Sequence, residues 1–266
     1  MTPAPQGPGT PVAGLVLDLD GTLADTPRAI TAIMLKILAD RGVPTDEAVL
    51  RSMVGRPLEQ NFAQLLGCAP DAPEIASVLA AYRDLFRAHL EGIDPAALAY
   101  PGVVEGLRRA RTRGLRLGLA TSKPRRAAER MLALMGVADL FQVVAGDDSV
   151  RHSKPDPEMA RLVADGLGLP PGRCVVVGDG VADMAMGRAA GMRVVGVSYG
   201  AATPAELKAA GAEEVVDSFA AVLALVTGPT AGGPTADSPA DDGSPSDNSP
   251  YDSPLCNSST DDRESS

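Results

Sequence analysis

Four aspartates stand where two short apolar runs end in this 266-residue sequence. Asp18 and Asp20 end one run in VLDLDGT, and Asp179 and Asp183 end another in VVVGDGVAD. Carboxylates that cluster without histidine or cysteine repel one another unless a hard cation lies among them, and ligation by oxygen alone suits Mg2+ rather than zinc. We therefore expect these four residues to bind Mg2+ if the fold brings the two runs together.

Two further runs end in groups that could bind a phosphate. Thr121 follows the run in LGLATSK, and Lys154 stands in HSKPDP, a short loop after another run. The Lys154 ammonium and the cation together would attract a phosphate, and the Thr121 hydroxyl and the backbone N–H groups of Gly21 and Ser122 could donate hydrogen bonds to its oxygens. Phosphoryl transfer needs chiefly positioning and charge neutralisation, which this set supplies.

The elements that must position these residues follow from the pattern of residues 11–227. Short apolar runs alternate there with longer helical patterns, which is typical of an α/β fold with a parallel sheet. Ligands of such sheets bind beyond the carboxyl ends of the strands, where all four motifs stand. Strands are predicted at Val12–Asp18, Leu115–Ala120, Gln142–Ala145, Cys174–Gly178 and Val194–Val197, with a weak edge strand at Glu214–Val216.

One region interrupts the alternation of strands and helices. From Thr26 to about Ala99 the sequence contains helical patterns and no convincing strand. A crossover of this length is far longer than the usual connection in α/β units, so it predicts a separate all-helical domain of about four helices. We expect this domain at residues 27–99, and the core domain at 11–26 and 100–227.

Composition and charge limit the possible partners. The net charge is -10, the aromatic content is 3% and tryptophan is absent, which argues against nucleic acid and anionic membrane surfaces as partners. No stretch approaches the roughly 20 consecutive apolar residues of a membrane span. The start of the chain has neither the basic residues nor the apolar run of a signal peptide, so we expect a cytoplasmic protein.

The two ends of the chain differ in composition from the rest. Residues 1–10 are rich in Pro and Gly, and residues 228–266 are acidic and rich in Pro and Ser. Such segments carry too few large apolar side chains to offset the entropy lost on ordering. Both are predicted to be disordered.

The motifs DLDGTLADT, LATSKP, SKPDPE and GDGVAD resemble, in order and spacing, the four motifs of the haloacid dehalogenase (HAD) superfamily. The resemblance covers about residues 12–227 and implies a Rossmann-like core with helices on both faces of the sheet, plus a helical type 1 cap. By this resemblance Asp18 is the nucleophile that becomes an aspartyl phosphate, and Asp20 is the acid/base. Asp18, the Asp20 carbonyl and Asp179 would ligate Mg2+, with Asp183 in a supporting or water-mediated role.

Two details refine what the resemblance implies. The acid at Asp20 favours a phosphatase or phosphomutase, because the alkoxide of a phosphomonoester leaves poorly unless it is protonated. Arg56, in MVGRPLEQNF, stands where caps related to phosphoglycolate phosphatases place substrate-facing residues, and could bind a second anionic group or be an ordinary solvated arginine. Gly180 departs from the family pattern, which more often has Ser or Thr there, and we expect weaker support of the metal site.

These observations favour an Mg2+-dependent phosphatase that acts on a small phosphorylated metabolite such as phosphoglycolate. The alternatives are a phosphomutase of the β-phosphoglucomutase type, which uses the same site with another acceptor, and a pyrophosphatase. A third hypothesis is a non-catalytic binding protein that interacts through its acidic tail. Retention of every charged motif position argues against this third hypothesis, because clustered charged groups usually signal use.

Overall fold

A computed structural model describes residues 11–228, which form a six-stranded parallel sheet with helices on both faces. This architecture confirms the predicted α/β fold, and every predicted strand is present. The strands are β1 (Gly14–Leu17), β2 (Arg116–Ala120), β3 (Val143–Ala145), β4 (Cys174–Gly178), β5 (Arg193–Val197) and β6 (Glu214–Val216). Their order across the sheet is β3-β2-β1-β4-β5-β6.

Six helices lie between β1 and β2. The first five belong to the long connection after β1, and the sixth leads directly into β2. The helices are α1 (Pro27–Ala39), α2 (Glu47–Met53), α3 (Leu58–Leu66), α4 (Pro73–Gly92), α5 (Pro95–Leu98), α6 (Val103–Thr112), α7 (Arg125–Leu134), α8 (Glu158–Leu167), α9 (Val181–Ala189), α10 (Pro204–Ala209) and α11 (Phe219–Thr227). The sequence predicted about four helices before α6, and the additional one is the single turn α5. Asp94 caps this turn by accepting a hydrogen bond from the Ala96 N–H at 2.9 Å.

The strands are apolar on both sides because helices cover both faces of the sheet. Leu15 and Leu17 of β1 belong to a hydrophobic cluster on one face, together with residues of α6, α7 and α11. Val16, between them, points to the other face and belongs to a cluster with residues of α8, α9 and α10. The buried strands thus form a rigid platform whose carboxyl ends carry the polar residues.

The order of the strands determines which of those carboxyl ends are neighbours. β1 lies in the middle of the sheet, paired with β2 on one side and with β4 on the other. The chain therefore proceeds from β1 toward one edge, and later from β4 toward the opposite edge. Ligand sites of open α/β sheets lie at such a reversal of strand order, so residues after β1, β2 and β4 are expected to meet.

Helices α1–α5 are connected to the rest of the structure through two adjacent chain segments. Ala24 and Ala99 form an isolated antiparallel bridge, the Asp25 N–H donates to the Leu98 carbonyl at 2.9 Å, and the Tyr100 N–H donates to the Leu23 carbonyl at 3.0 Å. Residues 27–99 lie between these segments, and their assignment to a separate domain remains a prediction.

The predicted disordered ends, 1–10 and 228–266, lie outside the described residues except for Gly228. Across residues 11–228, no helix combines the length and the apolar character needed to cross a bilayer.

Candidate active site

The carboxyl ends of β1, β2 and β4 bring residues from distant parts of the sequence together. Asp18, Thr121 and Asp179 each follow the last residue of their strand, and all three are buried. The Lys154 ammonium lies 2.6 Å from Asp18 Oδ1 and 2.6 Å from Asp183 Oδ1. The buried Lys154 ammonium therefore connects Asp18, which follows β1, with Asp183 in the first turn of α9.

Three buried carboxylates, Asp18, Asp179 and Asp183, lie close together at this end of the sheet. Burial raises the pKa of Asp18 well above its ordinary value, although Lys154 opposes the shift. Burial, and then the charge of Asp183, raise the pKa of Asp179 to about 7. Burial alone would lower the pKa of Lys154, but Asp18 and Asp183 outweigh it and raise that pKa. With all three carboxylates ionised, the cluster would carry more negative charge than its one ammonium neutralises.

The chemistry of this cluster fits a hard metal ion. Ligand oxygens of Asp18, Asp179 and Asp183 all lie within 4.8 Å of one another, and this group contains neither histidine nor cysteine. Oxygen-only sets of this kind suit Mg2+ rather than a softer metal, and a cation here would offset the mutual repulsion of the carboxylates.

Contacts from three directions fix the Asp179 carboxylate. The Thr22 hydroxyl donates to Oδ1 at 3.0 Å, and the Ala201 N–H donates to Oδ2 at 2.7 Å. Gly21 and Gly200 pack so closely against this carboxylate that a Cβ on either glycine would collide with it. Gly21 also has a φ of +89°, which disfavours other residues. Glycine is therefore needed beside the candidate metal site.

Asp20 is linked to helix α4 through the side chain of Lys123. The Thr26 hydroxyl donates to Asp20 Oδ1 at 2.6 Å, and Lys123 Nζ lies 3.1 Å from Asp20 Oδ2. The same ammonium lies 4.5 Å from the ring centre of Phe86 on α4. Sequence reasoning missed both Lys123 and Phe86. Lys123 follows Thr121 in LATSKP, but nothing local in that motif indicates that its partner is Asp20.

The structure adds contacts to the residues that the sequence assigned to phosphate binding. The Thr121 hydroxyl accepts a hydrogen bond from the Lys123 N–H at 3.2 Å, and the Ser122 hydroxyl donates to the Gly55 carbonyl at 2.6 Å. The Gly21 N–H, which the sequence assigned to phosphate, instead donates to the Ala24 carbonyl at 2.9 Å. The observed contribution of Gly21 is therefore the space that it leaves for Asp179.

Two further residues from the sequence analysis have defined surroundings. Arg56 is exposed, and its guanidinium donates to Gln64 Oε1 at 3.1 Å, within the helical region. The Gly180 N–H donates to Asp183 Oδ2 at 3.0 Å, so Asp183 accepts bonds from both this N–H and Lys154. The backbone of Gly180 thus orients Asp183 without a side chain of its own.

Comparison with known proteins agrees with this geometry. Residues 15–197 match the family of haloacid dehalogenase-like hydrolases, and this match spans more than half of the chain. The chain belongs to this family. A solved hydrolase from Pseudomonas syringae has the same fold, with a TM-score of 0.70 and 25% identity, over 80% of this chain and 97% of that protein.

Two curated relatives of similar sequence are named as phosphatases. The "Probable phosphatase IndB" of Dickeya dadantii (strain 3937) is 37% identical over 79% of this chain and 91% of its own length. A plasmid-encoded phosphoglycolate phosphatase of Cupriavidus necator (strain H16) is 35% identical over 82% of this chain and 94% of its own length. These relatives support a phosphoric monoester hydrolase.

Proposed function

We propose that this HAD-like protein is an Mg2+-dependent phosphatase that hydrolyses a small phosphomonoester through an aspartyl phosphate on Asp18. The observation that carries the proposal is the Lys154 ammonium, 2.6 Å from both Asp18 and Asp183, beside a third carboxylate, Asp179. A nucleophile, a phosphate-binding cation and a candidate metal site are thus adjacent at one end of the sheet. Few reactions other than phosphoryl transfer need this combination.

The metal ligands in this proposal are Asp18, the Asp20 carbonyl and Asp179, with Asp183 in a direct or water-mediated role. When bound, Mg2+ would neutralise charge on the phosphoryl oxygens and offset the repulsion among the carboxylates. Asp179 is held in one orientation by Thr22 and the Ala201 N–H, which pre-organises the ligand set.

The side chains divide the reaction into two displacements. In the first, the Asp18 carboxylate attacks phosphorus, the bond to the ester oxygen breaks, and Asp20 gives that oxygen a proton. Lys154, Thr121 and the backbone of Ser122 bind the phosphoryl oxygens meanwhile. In the second, Asp20 accepts a proton from water as the water attacks phosphorus, which releases phosphate and restores Asp18.

Helices α1–α5 act as the cap in this proposal. Ser122 donates to the Gly55 carbonyl between α2 and α3, and Lys123 lies against Phe86 on α4, so the helical region contacts the loop after β2. The segments near Asp25–Arg28 and Ala99–Gly102 would serve as hinges. Closure would exclude water from the phosphoryl group during the first displacement.

The substrate that we propose is a small phosphorylated metabolite of the phosphoglycolate type. The curated relatives named above support this choice, since one is named for phosphoglycolate and the other as a phosphatase. The Lys123 ammonium, 3.1 Å from Asp20 Oδ2 and 4.5 Å from the ring centre of Phe86, occupies space beside Asp20, which also favours a small leaving group.

A phosphate-release assay with excess Mg2+, and with EDTA as control, tests the proposal. The substrates are 2-phosphoglycolate, a hexose phosphate and pyrophosphate, and Asp18→Asn is the inactive control. We expect phosphate release from 2-phosphoglycolate that EDTA abolishes. Isomerised hexose phosphate without released phosphate would favour the mutase, hydrolysis of pyrophosphate alone would favour a pyrophosphatase, and no turnover of any substrate would favour a binding protein.

A further inference from the structure

Lys123 carries a buried charge that the reaction described above does not use. Its side chain is 9% exposed, and its ammonium lies 3.1 Å from Asp20 Oδ2, whose side chain is 11% exposed. Burial of an ammonium is costly unless partners compensate for the lost water. A positive charge that is buried at this position therefore requires a functional or a structural explanation.

An aromatic residue of the helical region covers the other side of this ammonium. The Phe86 ring centre lies 4.5 Å from Lys123 Nζ, a distance at which a cation is attracted to the ring face. Tyr82, one turn earlier on α4, stacks on Phe86 with ring centres 5.7 Å apart and an interplanar angle of 11°. The ring that faces Lys123 is thereby held in place by a second ring.

The position of Lys123 corresponds to the leaving-group side of the site. In the proposed reaction Asp20 protonates the ester oxygen, so the leaving group must lie beside the Asp20 carboxylate. Lys123 contacts that same carboxylate, and a substituent on the first carbons of the leaving group would come within hydrogen-bonding range of the ammonium. Lys154, in contrast, contacts Asp18 and Asp183 on the side of the transferred phosphoryl group.

We propose that Lys123 determines specificity by binding an anionic group on the leaving group, such as a carboxylate one carbon from the ester oxygen. The inference rests on the proposed phosphatase function. Lys123 would place a positive charge against such a carboxylate beside the point where Asp20 delivers its proton, so the ammonium could form a charge-assisted hydrogen bond with the substrate. Arg56, the other cation considered for this role, is exposed and engaged with Gln64.

A pair of matched substrates tests this role separately from any effect of Lys123 on Asp20. 2-Phosphoglycolate and 2-hydroxyethyl phosphate share a two-carbon skeleton, but only the first carries a carboxylate on the leaving group. We expect Lys123→Met to reduce the ratio of their kcat/KM values between about tenfold and about 150-fold, as loss of a hydrogen bond to a charged group would. Lys123→Arg, which keeps the charge, should restore part of the preference.

Two other variants complete the comparison. Lys36→Met is the matched control, because Lys36 is an exposed lysine on α1 that is paired with Asp40. In this variant the ratio of kcat/KM for the two substrates should equal the wild-type ratio. Arg56→Met is the competing variant. An equal loss for both substrates in Lys123→Met would overturn the proposal, because Lys123 would then act only through Asp20. The proposal would also be overturned if the preference for 2-phosphoglycolate were lost in Arg56→Met but kept in Lys123→Met.

A binding measurement makes the test independent of turnover. In an Asp18→Asn background with Mg2+, calorimetry gives the ratio of the dissociation constants of the two ligands, and adding Lys123→Met should reduce the preference for 2-phosphoglycolate. If the wild type hydrolyses neither substrate, the proposed function fails, while this ratio still decides the role of Lys123. If circular dichroism shows Lys123→Met to be unfolded, Lys123→Gln replaces it in both measurements.

Discussion

The two sides of the site differ in their balance of charge. The phosphoryl side, formed by Asp18, Lys154, Asp179 and Asp183, has three buried carboxylates and one ammonium. The leaving-group side, formed by Asp20 and Lys123 with Phe86 beside them, has one carboxylate and one ammonium. With its carboxylates ionised, the first side has an excess of negative charge, whereas the charges of the second side balance when Asp20 is ionised. The difference supports the proposed metal site on the first side and the proposed selectivity for the leaving group on the second.

The largest effect of a single change on the leaving-group side should come from Asp20→Asn. The amide keeps the hydrogen bond from Thr26 but cannot donate an acidic proton, so kcat for 2-phosphoglycolate should fall by about 10²–10⁴-fold. The first displacement on 4-nitrophenyl phosphate, measured as the burst of nitrophenol, should change much less, because nitrophenolate leaves without protonation. Equal losses in the two reactions would show that Asp20 is not the acid.

The charge excess on the phosphoryl side predicts how the metal-free protein responds to pH. Burial raises the pKa of Asp179 from 3.8 to about 7, so the folded state binds this proton more tightly than the unfolded state does. The free energy of unfolding in EDTA should therefore decrease as pH rises from about 4 to about 7. Asp179→Asn should stabilise the metal-free protein at pH 8 by about 1–4 kcal/mol in urea denaturation.

Mg2+ provides the control for this stability measurement. The metal should stabilise the wild type at pH 8 and should have little effect on Asp179→Asn, which lacks one ligand. A metal-free wild type that is as stable at pH 8 as the Asp179→Asn variant would contradict the charge balance inferred for this side.

A smaller effect is expected where the loop after β2 meets the helical region. Ser122→Ala removes the bond from the Ser122 hydroxyl to the Gly55 carbonyl, which is worth about 0.5–1.5 kcal/mol, and should raise KM by about two- to tenfold. Ser52→Ala is the matched control, since the Ser52 hydroxyl donates to the Val49 carbonyl within α2. Identical kinetic constants in both variants would show that the Ser122 contact does not assist closure.

The residues of the phosphoryl side were predicted from the sequence, and on the leaving-group side Asp20 was predicted but Lys123 and Phe86 were not. Asp18, Thr121 and Asp179 each follow a buried strand, and parallel strands place their carboxyl ends at one edge, so strand pattern alone predicts that they meet. The contact of Lys123 with Phe86 depends on how α4 packs against the loop after β2, which no local pattern encodes. The hydrogen bond from the Gly21 N–H to the Ala24 carbonyl was missed for a different reason, because it is a local contact that depends on the exact geometry of the turn after β1.

The central claim is that Asp18 forms a covalent bond to phosphorus. Acid quenching during the first turnover of 2-phosphoglycolate with Mg2+, followed by borohydride reduction and peptide mass spectrometry, measures this bond directly, since reduction converts an aspartyl phosphate to homoserine. We predict homoserine at position 18 of the wild type. In Asp20→Asn it should accumulate when 4-nitrophenyl phosphate replaces 2-phosphoglycolate, because nitrophenolate leaves without protonation while attack by water is slowed. Phosphate release with unmodified Asp18, or modification at another residue, would contradict the account.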